Sequence, residues 1–233
     1  MSIDKQLHKA HVAILHVLLF QPAARFADLQ KASKLTSDHF NFYLKQLVEE
    51  EFVTKNDAGA YHLTPKGKEF ANRFDTDARQ VERQPKVAVC LMIQDKDGKL
   101  LVQQRLKQPY YGYWGRPTGK IRWGESILEA AERELKEETG LEADMEYDAV
   151  YHKRDYNQAT GELLEDKIFF MVRCVNPRGT LIQDFEGGRN AWRTPADYTA
   201  EERSFESNDV IDLDKEIKIP IVEAKHEYAP EHY

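Results

Sequence analysis

The chain has 233 residues, 41% hydrophobic and 31% charged, which suits a soluble globular protein of one large domain or two small ones. Its net charge of −7 excludes a surface coated with cations for nonspecific nucleic-acid binding. The charge is uneven. Residues 1–80 hold 11 Lys/Arg against 10 Asp/Glu, and the remainder holds 22 against 30. No segment reaches membrane-spanning length, and the apolar run Val12 to Phe20 is short for a secretory leader and carries His16, so a cytoplasmic protein is expected. Cys90 and Cys174 sit in apolar strand-like runs and read as buried thiols rather than a disulfide.

In chain order, Ile3 to Leu19 reads as a first helix, Ala27 to Ser33 as a short second, and Ser37 to Glu50 as a third capped by Thr36 or Ser37. Two strands, Phe52 to Lys55 and Ala60 to Leu63, flank Asn56-Asp-Ala-Gly59 as a hairpin. Thr64-Pro65 then opens another helix, with Thr as cap and Pro in the first turn. Three helices, a hairpin and a helix describe a winged helix-turn-helix. The runs FNFYLKQLVEEEFV and YHLTPKGKEF resemble the third helix, wing and last helix of MarR- and PadR-like regulators. The expected domain is 1–74, followed by a polar, aperiodic linker at 75–86.

From Val87 the period becomes two-fold. VAVCLMIQ and KLLVQQR flank Asp95-Lys-Asp-Gly98 and read as a hairpin. The loop Pro109-Tyr-Tyr-Gly-Tyr113-Trp114 precedes a helix at 125–138. Strand-like runs AVYHKRDY and KIFFMVRCV follow, with a last strand near Leu181 and Asn190-Ala-Trp192. A terminal helix with a tail is expected within 200–233.

The run Gly119 to Leu141, GKIRWGESILEAAERELKEETGL, carries the chemistry. Its helix is rich in Ala, Leu, Glu, Lys and Arg, and Gly140 stands where it should end. At 100° per residue, Glu134, Glu137 and Glu138 fall within one third of the circumference. Leu128, Ala131 and Leu135 form a separate apolar stripe, and Glu129, Glu132 and Lys136 take the solvated face. Three carboxylates on one face repel one another unless a cation sits among them, and hard divalent ions favour such oxygen clusters. A solvated glutamate-rich helix would leave Gly119, Arg133 and Gly140 unexplained at their offsets.

This run is identified as the signature of the Nudix hydrolase superfamily, of MutT type. The resemblance, from about Val87 to Tyr198, implies an α+β chain: a winged helix-turn-helix followed by a Nudix α/β/α sandwich with a mixed sheet, in a domain at 87–233 with a C-terminal extension. It implies that Glu134, Glu137 and Glu138 ligate Mg²⁺ or Mn²⁺. A metal-binding backbone carbonyl of relatives maps to Thr118, where the family usually has Gly. Glu186, in Glu186-Gly-Gly-Arg-Asn-Ala-Trp192, matches the family's further glutamate and is the candidate fourth ligand and base, with Glu162 and Glu165 as rivals. Glu125 is carried over as partly structural, its carboxylate suiting the start of a helix. Arg133 is expected to orient a neighbouring glutamate through a bidentate contact rather than touch substrate. Arg105, Lys120 and Arg116 stand where relatives contact phosphates. Tyr110, Tyr111 or Tyr113 stack on a base or cover the sheet, and Trp114 is assigned to the latter.

The implied activity is metal-dependent hydrolysis of a nucleoside diphosphate linked to X, such as a (d)NTP, nucleotide sugar, ADP-ribose or dinucleotide. The alternative is a regulator in which the Nudix domain senses a nucleotide and the winged helix holds DNA. Nudix regulators place the Nudix domain first, and this chain reverses the order. His39, Asn41, Tyr43 and Lys45 would face the groove and Lys55, Lys66 and Lys68 the phosphates, although Glu49-Glu50-Glu51 ends the same helix. Dimerisation or docking is the other use of that scaffold, and a homodimer suits both domains. An isoprenoid diphosphate isomerase on a related fold finds no support in the cysteine positions.

Overall fold

The computed structural model describes residues 8–75, 80–200, 203–205, 221 and 223. The chain divides into two compact units, with the boundary between Arg83 and Gln84. The first five residues of the expected opening helix, 3–7, and nearly all of 200–233 lie outside the described residues.

In the first unit, α1 spans Lys9–Phe20, α2 Phe26–Ser33 and α3 Ser37–Glu49. The strands β1 (Val53–Lys55) and β2 (Tyr61–Leu63) pair antiparallel, and α4 is Pro65–Ala71. Thr64 caps α4 by accepting the Gly67 N–H at 3.0 Å, with Pro65 in the first turn where its missing N–H costs nothing. Thr36 stands at the N-cap of α3 but makes no side-chain cap bond. One core joins Leu15 and Leu18 of α1, Leu29 of α2, Phe40, Leu44 and Leu47 of α3, and Phe70 of α4. The segment expected as a linker carries β3 (Phe74–Asp75) and β4 (Gln80–Val81), paired antiparallel. So short a ladder, two residue pairs, leaves no periodicity to read.

The second unit is built on β5 (Lys86–Ile93), β6 (Leu100–Arg105), β7 (Trp114–Gly115), β8 (Thr118–Lys120), α5 (Ile127–Thr139), β9 (Leu141–Tyr156), β10 (Leu163–Gly179), β11 (Asp184–Phe185), β12 (Gly188–Arg193) and α6 (Pro195–Thr199). One sheet runs β8-β5-β10-β9, with β5 and β10 parallel and the other pairs antiparallel; the second runs β11-β12-β6-β7. The expected hairpin between β5 and β6 forms its turn, closed by Gly98 N–H to Asp95 O at 3.1 Å, but not its ladder. β5 has both edges filled by β10 and β8, and β6 by β12 and β7, so the two strands share only the bridge Gln94–Leu100.

Strand alternation decides which face of the mixed sheet meets α5. Val89, Leu91 and Ile93 pack with Ala130, Ala131 and Leu135, whereas Ala88 and Cys90 turn to Phe169 and Met171 on the opposite face. Cys90 and Cys174 are buried free thiols, as read from sequence, and burial pushes both up to about 12. Trp114 is buried with Val102 and Tyr198, beneath the Arg193 guanidinium at 3.8 Å, in the covering role expected of it.

Candidate functional site

The helix that carries the glutamates starts two residues later than the sequence suggests. Ser126 caps it: its hydroxyl accepts the Glu129 N–H at 3.3 Å, and the Glu129 carboxylate accepts the Ser126 N–H at 2.8 Å. Glu125 therefore lies before the helix, and its carboxylate serves a different partner. Ile127, Ala130, Ala131 and Leu135 are buried, while Leu128, expected in that stripe, is half-buried. Gly140 ends the helix in the left-handed conformation, φ 74°.

Arg133 organises the surrounding groups. Its Nε and Nη2 donate to the two Glu125 oxygens at 2.5 and 2.8 Å, a bidentate pair. Nη2 also donates to Lys120 O at 3.0 Å, and Nη1 to Glu134 Oε1 at 2.5 Å. The sequence favours Arg133 orienting a neighbouring glutamate over contact with substrate, and every donor is directed at the protein. These hydrogen bonds draw the Glu125 carboxyl down to about 2 and raise Arg133 further above its ordinary range.

Gly119 explains itself through Glu134. A Cβ at Gly119 would collide with Cγ and Cδ of Glu134, whose side chain lies across the β8 backbone. Glu137 is half exposed and shares Arg133 and Arg122, with Arg122 Nη2 at 3.3 Å. Glu138 is half-buried and accepts Gln103 Nε2–H at 3.1 Å. Burial pushes its carboxyl above the ordinary range, the Gln103 bond opposes this, and the charges of Glu134 and Glu137 add to it.

Beside this face opens a cleft of about 600 Å³. Glu134, Glu138, Thr118, Gly119 and Glu165 line it together with six cations, Lys86, Arg105, Lys107, Lys120, Arg122 and Lys167. Glu165 is paired with Lys86 at 2.9 Å and Lys167 at 3.3 Å. A neighbouring cavity of about 90 Å³ shares Arg105, Thr118, Lys167 and Phe169 with the cleft and adds Tyr110, Tyr151 and Phe205. A larger cavity of about 810 Å³, lined by Met92, Leu100, Arg173, Asn176 and Trp192 among others, contains none of the helix glutamates; size alone does not locate chemistry.

The expected site residues separate accordingly. Glu134, Glu138, Thr118, Gly119, Arg105 and Lys120 come together. Glu186 does not: it is exposed in the two-residue turn between β11 and β12 and absent from the cleft lining. The tight turn aims its neighbours inward and leaves Glu186 in solvent, whereas its rival Glu165 reaches the cleft from β10. Glu162 is exposed in the β9–β10 connection. Arg105 pins the loop ahead of the motif, donating to Pro109 O at 2.5 Å and Gln108 O at 3.2 Å. Arg116 lines the smaller cavity with its Nε buried and without a hydrogen-bond partner. Tyr113 packs on Phe205, ring centroids 5.4 Å apart, and is not part of the cleft. Tyr110 donates to Asp155 Oδ2 at 3.1 Å, and Tyr111 is exposed.

Sequence reasoning missed Asn190, which is buried and donates through Nδ2 to Glu138 O at 2.8 Å and Ile182 O at 2.7 Å. A single Asn within the strand Gly188–Arg193 was its only signal. Lys107, Arg122 and Lys86 were missed as well; nothing distinguishes a cleft lysine from a solvated one in sequence.

Residues 84–213, more than half of the chain, match the NUDIX domain family. The chain belongs to the Nudix family. Residues 11–81 match a winged helix-turn-helix family. The Nudix segment is similar to an isopentenyl-diphosphate Delta-isomerase of Serratia proteamaculans, 44% identical over 99 residues, 40% of this chain and 54% of that one. An ADP-ribose pyrophosphatase of Methanocaldococcus jannaschii is 38% identical over 74 residues, 32% of this chain and 43% of that one. The chain thus spans about half the length of these relatives. Among solved structures, the NUDIX domain of Shewanella oneidensis NrtR complexed with ADP ribose is 20% identical, with a TM-score of 0.48, over 63% of this chain and 94% of that one.

The donors of the Nudix helix suit a hard divalent cation, since all are carboxylate oxygens. Among the described residues no three acidic, His or Cys side chains close into a metal cage. Arg133 and Arg122 pair with Glu134 and Glu137 instead, while the Glu138 carboxyl, raised by burial, has the charge of Lys107 opposing that shift.

Proposed function

We propose that the Nudix domain hydrolyses the diphosphate bond of a nucleoside diphosphate linked to X, with Mg²⁺ or Mn²⁺ held by Glu134, Glu137 and Glu138. The supporting observation is a carboxylate face and six cationic side chains in one cleft. An acidic protein that gathers cations around glutamates is suited to a ligand of several negative charges plus a cation that bridges them. A bound ion would neutralise charge on the phosphates and lower the pKa of an attacking water. Lys107, Lys120 and Lys167 bind phosphate oxygens. Arg133 fixes Glu134 against Gly119, and Arg105 holds the loop that walls the cleft. Glu165 takes the place expected of Glu186 as the acid on the strand side. The Thr118 carbonyl stands at the cleft on an edge strand, as a further oxygen donor.

The test is release of phosphate and nucleotide from a panel containing (d)NTPs, nucleotide sugars, ADP-ribose and dinucleotides, with Mg²⁺ or Mn²⁺. Isopentenyl diphosphate isomerisation is assayed in parallel. Turnover of one compound by the wild type, abolished in Glu137→Gln and Glu138→Gln, is expected. No turnover by a folded protein, or isomerisation instead, sinks the hydrolase reading.

The winged helix-turn-helix match supports a second reading, a DNA-bound regulator that reports on a nucleotide. Its surface favours DNA less than its fold does. Lys45 is paired with Glu49 at 3.5 Å, and Tyr43 is stacked on His8 with centroids 4.2 Å apart. Lys66 donates to Glu50 O at 2.6 Å. Affinity for DNA rests largely on phosphates neutralised by available cations, so a salt-sensitive, nucleotide-released DNA complex is the observation this reading needs. A homodimer, presenting two such helices, belongs to the same reading.

A further inference from the structure

Neither the fold nor the phosphate cleft accounts for Trp123, which is 91% exposed and the most exposed of the large hydrophobic residues described. It occupies the turn that leads into α5. Glu125 N–H donates to Arg122 O at 3.1 Å, closing the turn, and Gly124 supplies the left-handed third position with φ 86°. The second position of such a turn accepts most residues, so an indole there contributes nothing to the fold. Single exposed apolar residues are common, but a Trp this exposed forfeits the burial that its large ring usually secures.

The turn itself is fixed. Arg122 N–H donates to Glu125 Oε2 at 2.8 Å, and that carboxylate is gripped by Arg133 through two bonds. Arg122, next in the chain to Trp123, reaches Glu137 and lines the cleft. The indole is therefore displayed on a rigid support, one residue from a cation of the phosphate site. Three of the four aromatics in the loop ahead of the motif are otherwise engaged, Tyr110 with Asp155 and Phe205, Tyr113 with Phe205 and Trp114 in the core, and the fourth, Tyr111, is less exposed than Trp123.

We propose that Trp123 is the stacking platform for the aromatic base of the diphosphate substrate. This rests on the hydrolase reading of the cleft for where the phosphates lie. Base–aromatic stacking tolerates any base, since each presents a π face. The base comes from a free nucleotide or from the 5′ end of an RNA, and both place it next to a 5′ phosphate.

The three tryptophans make fluorescence a direct test, because Trp114 is buried and Trp192 half-buried. AMP, inorganic pyrophosphate and the 5′-phosphorylated dinucleotide pApA are titrated with Mg²⁺ into the full chain and into Trp123→Ala and Trp123→Phe. AMP quenches the wild type and binds the Ala variant about tenfold more weakly, while Phe retains most of the affinity. Pyrophosphate binds all three proteins alike. Tighter binding of pApA than of AMP identifies an RNA end, and equal binding identifies a free nucleotide. Equal AMP affinity for wild type and Trp123→Ala overturns the proposal, as does weakening of pyrophosphate in step with AMP. If the turnover panel is silent yet AMP quenches through Trp123, hydrolysis falls and stacking stands. If turnover is found and AMP ignores the substitution, stacking falls alone.

Discussion

Replacing Gly119 with Ala adds one methyl group where Glu134 Cγ and Cδ already lie. The colliding atoms belong to the side chain next to its own backbone, so a terminal rotation does not relieve the overlap. Overpacking of this kind costs about 1–3 kcal/mol. If Glu134 swings away to relieve it, the protein also loses the ion pair with Arg133, whose two side chains are only 14% and 13% exposed. A charged hydrogen bond contributes about 1.5–3 kcal/mol, so both routes lead to a similar loss. The clash disappears when Glu134 is Ala, and there Gly119→Ala should gain about 0.5–1 kcal/mol by stiffening the unfolded chain within a strand. The coupling between the two sites is then about 2–4 kcal/mol. Urea unfolding followed by tryptophan emission measures it, since Trp114, Trp123 and Trp192 all lie in the Gln84–Lys225 unit. An equal cost in both backgrounds, or none in either, would refute the account of Gly119. Diphosphate turnover should fall at least a hundredfold in Gly119→Ala, as about 3 kcal/mol of misplaced ligand implies.

Asn190→Ala strips two carbonyls of a buried donor and should destabilise the Nudix unit by about 2–3 kcal/mol, read as a lower urea midpoint at unchanged slope. Thr64→Ala removes the cap of α4 and should cost the first unit about 1 kcal/mol, measured by amide exchange in α4. His11 is buried, accepts the His8 N–H on Nδ1 and shares Nε2 with Gln46 Oε1, an arrangement that needs the neutral ring. Burial lowers its pKa, so on acidification the unfolded chain takes up the proton first. Stability of the first unit is then full above pH ~6.5 and declines below it, with a slope of at most about 1.4 kcal/mol per pH unit. His11→Gln should flatten that decline, and an unchanged profile would remove His11 as its cause.

What the sequence disclosed was local chemistry. The carboxylate face of α5, the Gly140 stop and the Thr64-Pro65 start each depend on residues within a turn or two of one another. Ser126 with Glu129 was legible in the same way, as a Ser-x-x-Glu pair, and would have corrected the helix start. The failures concern partners far apart in the chain. Turn residues at 95–98 predicted a hairpin, yet which strand fills each edge of β5 depends on β10, some 80 positions on. Glu165 entered the cleft and Glu186 stayed out because a strand register and a tight turn aim them, and neither is encoded beside the residue itself. Gly119 matched a motif by position, but its reason lies in a side chain fifteen residues later.

The junction between α5 and β9 has a geometric consequence. Thr139 Oγ1 donates to Leu135 O at 2.5 Å and accepts Leu141 N–H at 3.1 Å, Thr139 O accepts Ile182 N–H at 2.9 Å, and Gly140 alone separates helix from strand. The rotational phase of the helix is thereby locked to the sheet at its C-terminal end. Each residue inserted between Glu134 and Thr139 would turn Glu134 by 100° about the axis, away from the cleft and into another sector. Length in this stretch therefore acts as an angular setting, and the loops elsewhere can lengthen without altering it.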